Sequence, residues 1–135
     1  MSTVFVDTTA WIALANKRDS LHAVARETFD RLWNEETHFL TSEFVLAELG
    51  NALSAPEFRT RTARFIETLY LSSTIEIVPS TTELFHRGLT LFGNRPDKGW
   101  GLIDCTSFAI MADRALTKAF TQDRHFEQAG FVTLL

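Results

Sequence analysis

The stretch Thr3-Val4-Phe5-Val6-Asp7-Thr8-Thr9 decides the fold. A short β-branched and aromatic run reads as a buried strand, and the acid and two threonines after it open a helix that continues to about Asn16. Similar alternation recurs along the chain. His38-Phe39-Leu40-Thr41 reads as a second strand, and Ser42 caps a helix running to about Ser54. Ile75-Glu76-Ile77-Val78 is a third strand, with Pro79-Ser80 starting a helix to about Phe92. Lys118 to Thr121 is a fourth strand, Asp123 to Gln128 a short helix, and Phe131 to Leu134 a fifth strand.

Three further segments fill the gaps. Ser20 is placed to cap a helix over Leu21 to Glu35, with Val24, Phe29, Leu32 and Trp33 as its apolar positions. Pro56 fits the first turn of a helix to about Leu71. Gly93 to Gly101, with three glycines and a proline, is a loop before a helix over Leu102 to Leu116. Strands alternating with helices imply an α/β fold, a central parallel five-stranded sheet covered by helices on both faces. Ligands of such sheets bind outside the carboxyl ends of the strands.

The chain's 135 residues fit a single domain, 1–135, large enough to bury its own core. Hydrophobic residues at 45% and charged residues at 22% argue against disorder. The longest apolar run, the six residues Ala10 to Ala15, is far short of the roughly 20 that span a bilayer, so no membrane partner is expected. No basic segment followed by an apolar one marks a signal peptide at the N-terminus, and a cytoplasmic location is expected. The single cysteine, Cys105, excludes an internal disulfide scaffold and a cysteine-rich zinc module. It reads as a small buried hydrophobe. Net charge is −4, so any nucleic-acid partner must be met by a local basic patch or through a bound cation. Twelve phenylalanines against one tyrosine point to core packing instead of a base-stacking platform.

Four acids stand out. Asp7 follows the first strand and Asp123 lies two residues after Thr121, both where helices begin; either alone could be an ordinary N-cap. Glu48 sits at the edge of a stripe formed by Val45, Leu49 and Ala52, where a buried pair with an arginine is the alternative. Asp104 shares 4-3-4 spacing with Phe108, Met111 and Ala115 and points along a buried face, where an interaction with the helix dipole is the alternative. Unpaired buried carboxylates cost several kcal/mol or shift their pKa values. Four together would repel unless a cation sat among them. Oxygen ligands without a His/Cys set favour Mg²⁺ or Mn²⁺, and such ions support in-line displacement at phosphorus.

Phe5-Val6-Asp7-Thr8, Glu48, Trp100-Gly101-Leu102-Ile103-Asp104-Cys105 and Ala119-Phe120-Thr121-Gln122-Asp123-Arg124-His125-Phe126 resemble the PIN domain. The chain is most similar to its VapC-type ribonuclease toxins, over essentially its whole length. The resemblance implies a sheet of order 3-2-1-4-5, which sets the ends of the first and fourth strands side by side, about 4.8 Å apart. It implies a catalytic and metal-binding quartet of Asp7, Glu48, Asp104 and Asp123. Asp7, Asp104 and Asp123 would hold Mg²⁺ or Mn²⁺, while Glu48 would bind the ion or orient the attacking water. The products would be a 5′-phosphate and a 3′-hydroxyl. Thr8, Thr121 and Ser107 match polar positions lining the site, and Asp97 is a further possible ligand or outer-shell group, if not a solvated loop acid. A cognate antitoxin and a second copy of the chain are the implied protein partners, beside the RNA substrate.

The histidines His22, His38, His86 and His125 show no metal spacing; His125 is nearest the acids and could meet a phosphate, with surface packing the simpler role. Arg59, Arg61 and Arg64, with Lys17 and Arg18, form either a solvated face or a phosphate-contacting rim. Two other readings remain open. A phosphoryl-transfer α/β protein would need a second acid where Thr9 stands, or an acceptor acid where Pro79-Ser80 stands. A non-catalytic PIN-like binding module would be expected to have lost some of the quartet.

Overall fold

A computed structural model describes residues 2–135. In chain order the elements are β1 (Thr3–Val6), α1 (Thr8–Ala15), α2 (His22–Asn34), β2 (His38–Ser42), α3 (Glu43–Ala52) and α4 (Pro56–Leu71). They continue as β3 (Ile75–Val78), α5 (Thr82–Asn94), α6 (Leu102–Asp113), β4 (Lys118–Phe120), α7 (Arg124–Gln128) and β5 (Val132–Thr133). The five strands form one sheet of order β3-β2-β1-β4-β5, and every neighbouring pair is parallel. Phe5 lies opposite Leu40 of β2 and Ala119 of β4, so β1 is the central strand. Its Val4, Phe5 and Val6 are fully buried, as a strand covered on both faces requires.

Several element boundaries differ from expectation, each for a local reason. Asp19, not Ser20, turns the chain into α2: its Oδ1 accepts from the Leu21 N–H at 2.8 Å. The buried face of α2 is Ala25, Thr28 and Leu32, with Phe29 partly buried and stacked on Phe39 at 4.9 Å. Val24 and Trp33 flank that face and stay 44% and 47% exposed. Ser42 does cap α3, accepting from the Val45 N–H at 3.1 Å. Ala52 is exposed; Val45, Leu46 and Leu49 are the buried positions of α3. Helix α5 starts at Thr82 because Thr81, not Pro79-Ser80, is its cap, accepting from Leu84 N–H at 3.1 Å. It runs on to Asn94.

Helix α6 stops at Asp113 instead of Leu116. Ala115 turns left-handed (φ 54°), and the N–H groups of Ala115 and Leu116 close back on Ala112 and Met111. Ala115 is therefore exposed and leaves the stripe of Asp104, Phe108 and Met111. The same closure ends α2, where Glu36 takes φ 59°, and α7, where Gly130 takes φ 96°. Thr121 lies just past β4, and β5 is confined to Val132–Thr133. No helix of the described residues is long and apolar enough to cross a membrane.

Candidate active site

Parallel pairing of β1 with β4 sets their carboxyl ends together, and the Asp7 N–H donates to the Phe120 carbonyl at 3.1 Å. Asp7 occupies the N-cap position of α1, yet its side chain caps nothing. Its Oδ2 accepts from the Thr121 hydroxyl at 2.9 Å, while its Oδ1 is buried and finds no hydrogen-bond partner among the described residues. Burial is the main force pushing the Asp7 pKa up to about 6; the charges of Asp104 and Glu48 add to it, against the stabilising Thr8 N–H and Thr121 hydroxyl. An ordinary cap would not be held this way.

Thr121 is fully buried and joins three segments. It donates to Asp7, shares a 2.9 Å hydrogen bond with the Thr9 hydroxyl, and accepts from the Asp123 N–H at 3.0 Å. Thr8 donates its hydroxyl to Glu48 Oε1, fixing α3 to the start of α1. Glu48 is half-buried and, among the described residues, forms no ion pair, so the arginine partner considered for it is not there.

Asp104 and Asp123 do serve their helix starts. Asp104 Oδ2 accepts from the Gly101 N–H at 3.2 Å, and Asp123 Oδ1 accepts from the His125 N–H at 2.9 Å. Both also face one another across His125, whose Nδ1 is 3.0 Å from Asp104 Oδ2 and 3.4 Å from Asp123 Oδ1. Burial raises the Asp104 pKa, and the Asp123 charge adds to the rise; the His125 and Gly101 hydrogen bonds oppose it. A ligand atom from each of Asp104, Asp123 and His125 falls within 4.8 Å of the others.

A groove of about 450 Å³ gathers Asp7, Glu48, Asp104 and Asp123 with Thr8, Thr9 and His125. Ser107 and Asp97 do not line it. Ser107 is fully buried in α6, its Oγ without a partner among the described residues. Asp97 is exposed and held by Arg95 through two 3.0 Å hydrogen bonds, which keep its carboxyl down at about 2. His125 and Thr9 are the polar groups that the sequence underrated. The available signal was position: His125 is two residues past Asp123, and Thr9 two past Asp7. Four carboxylates, a buried orphan oxygen and two raised acid pKa values form a donor set that fits a divalent cation.

A parallel sheet of this order with acids at the β1 and β4 ends defines a PIN domain, and the chain belongs to that family: the PIN domain matches residues 4–132. Among relatives, the 23S rRNA-specific endonuclease VapC20 of Mycobacterium tuberculosis is 30% identical over 130 residues, covering 96% of this chain and 95% of the relative. The crystal structure of VapC20 from Mycobacterium tuberculosis, a sarcin-ricin loop cleaving toxin, superposes with a TM-score of 0.83 at 28% identity over 96% of each chain. The fold is shared with VapBC2 from Rickettsia felis bound to a DNA fragment from its promoter (TM-score 0.69, 16% identity, 98% and 97% coverage). It is shared also with FitAcB from Neisseria gonorrhoeae (TM-score 0.66, 17% identity, 98% and 96% coverage).

Proposed function

We propose that this chain is a metal-dependent endoribonuclease of the VapC type that hydrolyses RNA phosphodiester bonds and is held in check by a cognate antitoxin. The observation that carries this reading is the convergence of Asp7, Glu48, Asp104 and Asp123 on one groove, with Asp7 Oδ1 buried and unpartnered. The 30% identity to an rRNA endonuclease supports it.

Asp7, Asp104 and Asp123 would hold Mg²⁺ or Mn²⁺, with Glu48 either completing the set or orienting the attacking water. Such an ion supplies positive charge to the phosphoryl oxygens and acidifies water near neutral pH. The chain's own residues do the positioning. Thr121 fixes the Asp7 carboxylate, Thr8 holds Glu48 against the groove wall, and His125 bridges Asp104 and Asp123. The products are a 5′-phosphate and a 3′-hydroxyl.

An antitoxin segment would cross the groove and set a basic side chain among the acids, whose charge is otherwise uncompensated. A second copy of the chain is the other proposed partner. On α5, Phe85, Leu89 and Phe92 lie on one face and stay 37%, 41% and 47% exposed, an apolar stripe that a partner would cover. A cytoplasmic location suits an RNA substrate. Incubating purified protein with total RNA and Mn²⁺, with and without EDTA, tests the reading; cleavage is expected only without chelator, and equal cleavage in both arms refutes the metal mechanism.

A further inference from the structure

Two basic stretches of the sequence meet where the end of α1 faces α4. Lys17 and Arg18 follow α1, and Arg59, Arg61 and Arg64 lie on α4; all five are exposed. Among the described residues none of them forms an ion pair, whereas Arg26, Arg31, Arg87, Arg95 and Arg114 are each held by a carboxylate. Lys98, Lys118 and Arg124, the other unpaired cations, stand singly in the sequence. In a chain of net charge −4, the three that share one pocket, Lys17, Arg18 and Arg61, form a local field of opposite sign.

Lys17, Arg18 and Arg61 line a pocket of about 210 Å³ between the end of α1 and α4, with Asn16 on its wall and the Phe58 ring and Leu53 as its apolar part. The loop carrying Lys17 and Arg18 is built, not loose. Asn16 Oδ1 accepts from the Arg18 N–H at 3.1 Å, and the Asp19 N–H donates to the Asn16 carbonyl at 3.0 Å. This pocket continues the acidic groove along the same two helices. Helix α1 enters the groove with Thr8 and Ile12 and reaches the pocket with Ala15. Helix α3 lends Glu48 and Ala52 to the groove, and Leu53, the next residue, to the pocket.

From Thr8 to Ala15 helix α1 rises about 10 Å at ~1.5 Å per helical residue, and Lys17 lies beyond its end. That exceeds the Debye length of about 8 Å at physiological ionic strength, so the cations do not compensate the acids, nor the acids the cations. The acidic groove repels a polyanion, so strand affinity must come from phosphate contacts elsewhere.

We propose that the pocket built on Lys17, Arg18 and Arg61 is a phosphate-backbone subsite that grips the RNA strand at a nucleotide removed from the one cut. This rests on the endoribonuclease reading. It separates holding from cutting: the basic pocket sets affinity, and the acidic groove sets the chemical rate.

Anisotropy of a fluorescein-labelled RNA oligonucleotide, measured in EDTA so that nothing is cut, tests it. The Arg18→Ala/Arg61→Ala double variant is compared with wild type and with Lys118→Ala, at the far end of β4; Arg18→Gln/Arg61→Gln serves if the alanine pair melts abnormally. Loss of two phosphate contacts should weaken binding roughly ten- to thirtyfold at about 0.1 M salt and flatten the log–log salt slope by about 1.4. Lys118→Ala should bind as wild type does. With Mn²⁺ and saturating RNA, the double variant should cut at the wild-type rate, with KM raised and kcat unchanged. Unchanged affinity in the double variant, an equal loss in Lys118→Ala, or no RNA affinity in wild type overturns the subsite. RNA that is bound by wild type but never cut in Mn²⁺ instead refutes the nuclease reading and leaves the subsite standing.

Discussion

Asp7→Asn should make the metal-free protein more stable while destroying its activity. The Asp7 carboxyl is 2% exposed, and its pKa is pushed from 3.8 to about 6, chiefly by burial. A folded-state pKa above the unfolded one means that the folded protein binds the proton more tightly. Stability therefore falls as pH rises from about 4 through about 6, and above that the full penalty applies. A shift of about two units corresponds to about 3 kcal/mol. Asparagine is nearly isosteric and carries no charge at any pH. Its amide oxygen can still accept from Thr121, and its amide nitrogen takes the place of the oxygen that now has no partner. Urea unfolding in EDTA at about pH 7.5 should show the variant more stable by about 1–3 kcal/mol, or roughly 4–10 °C in Tm. At about pH 4 the gap should close to about 0.5 kcal/mol, because the wild-type carboxyl is then largely protonated when folded. Saturating Mn²⁺ should reverse the order, since only wild type keeps the full ligand set. A variant no more stable than wild type at neutral pH, or a gap that does not narrow in acid, would refute the burial argument.

Asp104→Asn keeps an acceptor for the Gly101 N–H but removes one of the converging charges; cleavage should be lost, metal-free stability held or slightly raised, and the Tm gain from Mn²⁺ reduced, as paired melts with and without Mn²⁺ would show. A variant that cuts at the wild-type rate would remove Asp104 from the site. Thr121→Val leaves Asp7, Thr9 and the Asp123 N–H without their shared hydroxyl. It should cost about 1–3 kcal/mol in denaturant unfolding and lower the cleavage rate, and an unperturbed variant would show that the hydroxyl network is dispensable.

The acids were legible because each marks an interruption of a pattern. Asp7 follows a run of β1 residues, and Asp104 sits on a helix face that is otherwise apolar. Thr9 and His125 interrupt nothing: Thr9 reads as part of a helix start, and His125 as surface packing beside the acids, until the β1 and β4 ends are set side by side. Asp97 reads from the sequence either as an outer-shell group or as a solvated loop acid; the Arg95 pair two residues away, which holds it in solvent, favours the second. Ser107 follows Asp104 by one helical turn, but it is packed inside α6. Helix ends were blurred for a different reason. The left-handed residues that close α2 and α6 are Glu36 and Ala115, where a glycine would have marked the stop. Only at α7 does Gly130 give that sign.

The strand order also fixes when the groove can exist. Strand β1 is made long before its neighbour β4, which begins at Lys118, and the hydrogen bond from Thr121 to Asp7 spans 114 residues. A growing chain thus carries Asp7, Glu48 and Asp104 before it carries β4 and Asp123. Until β4 slots in beside β1, the acids are strangers to one another. For an enzyme proposed to cut RNA, cleavage cannot begin before β4 has been made.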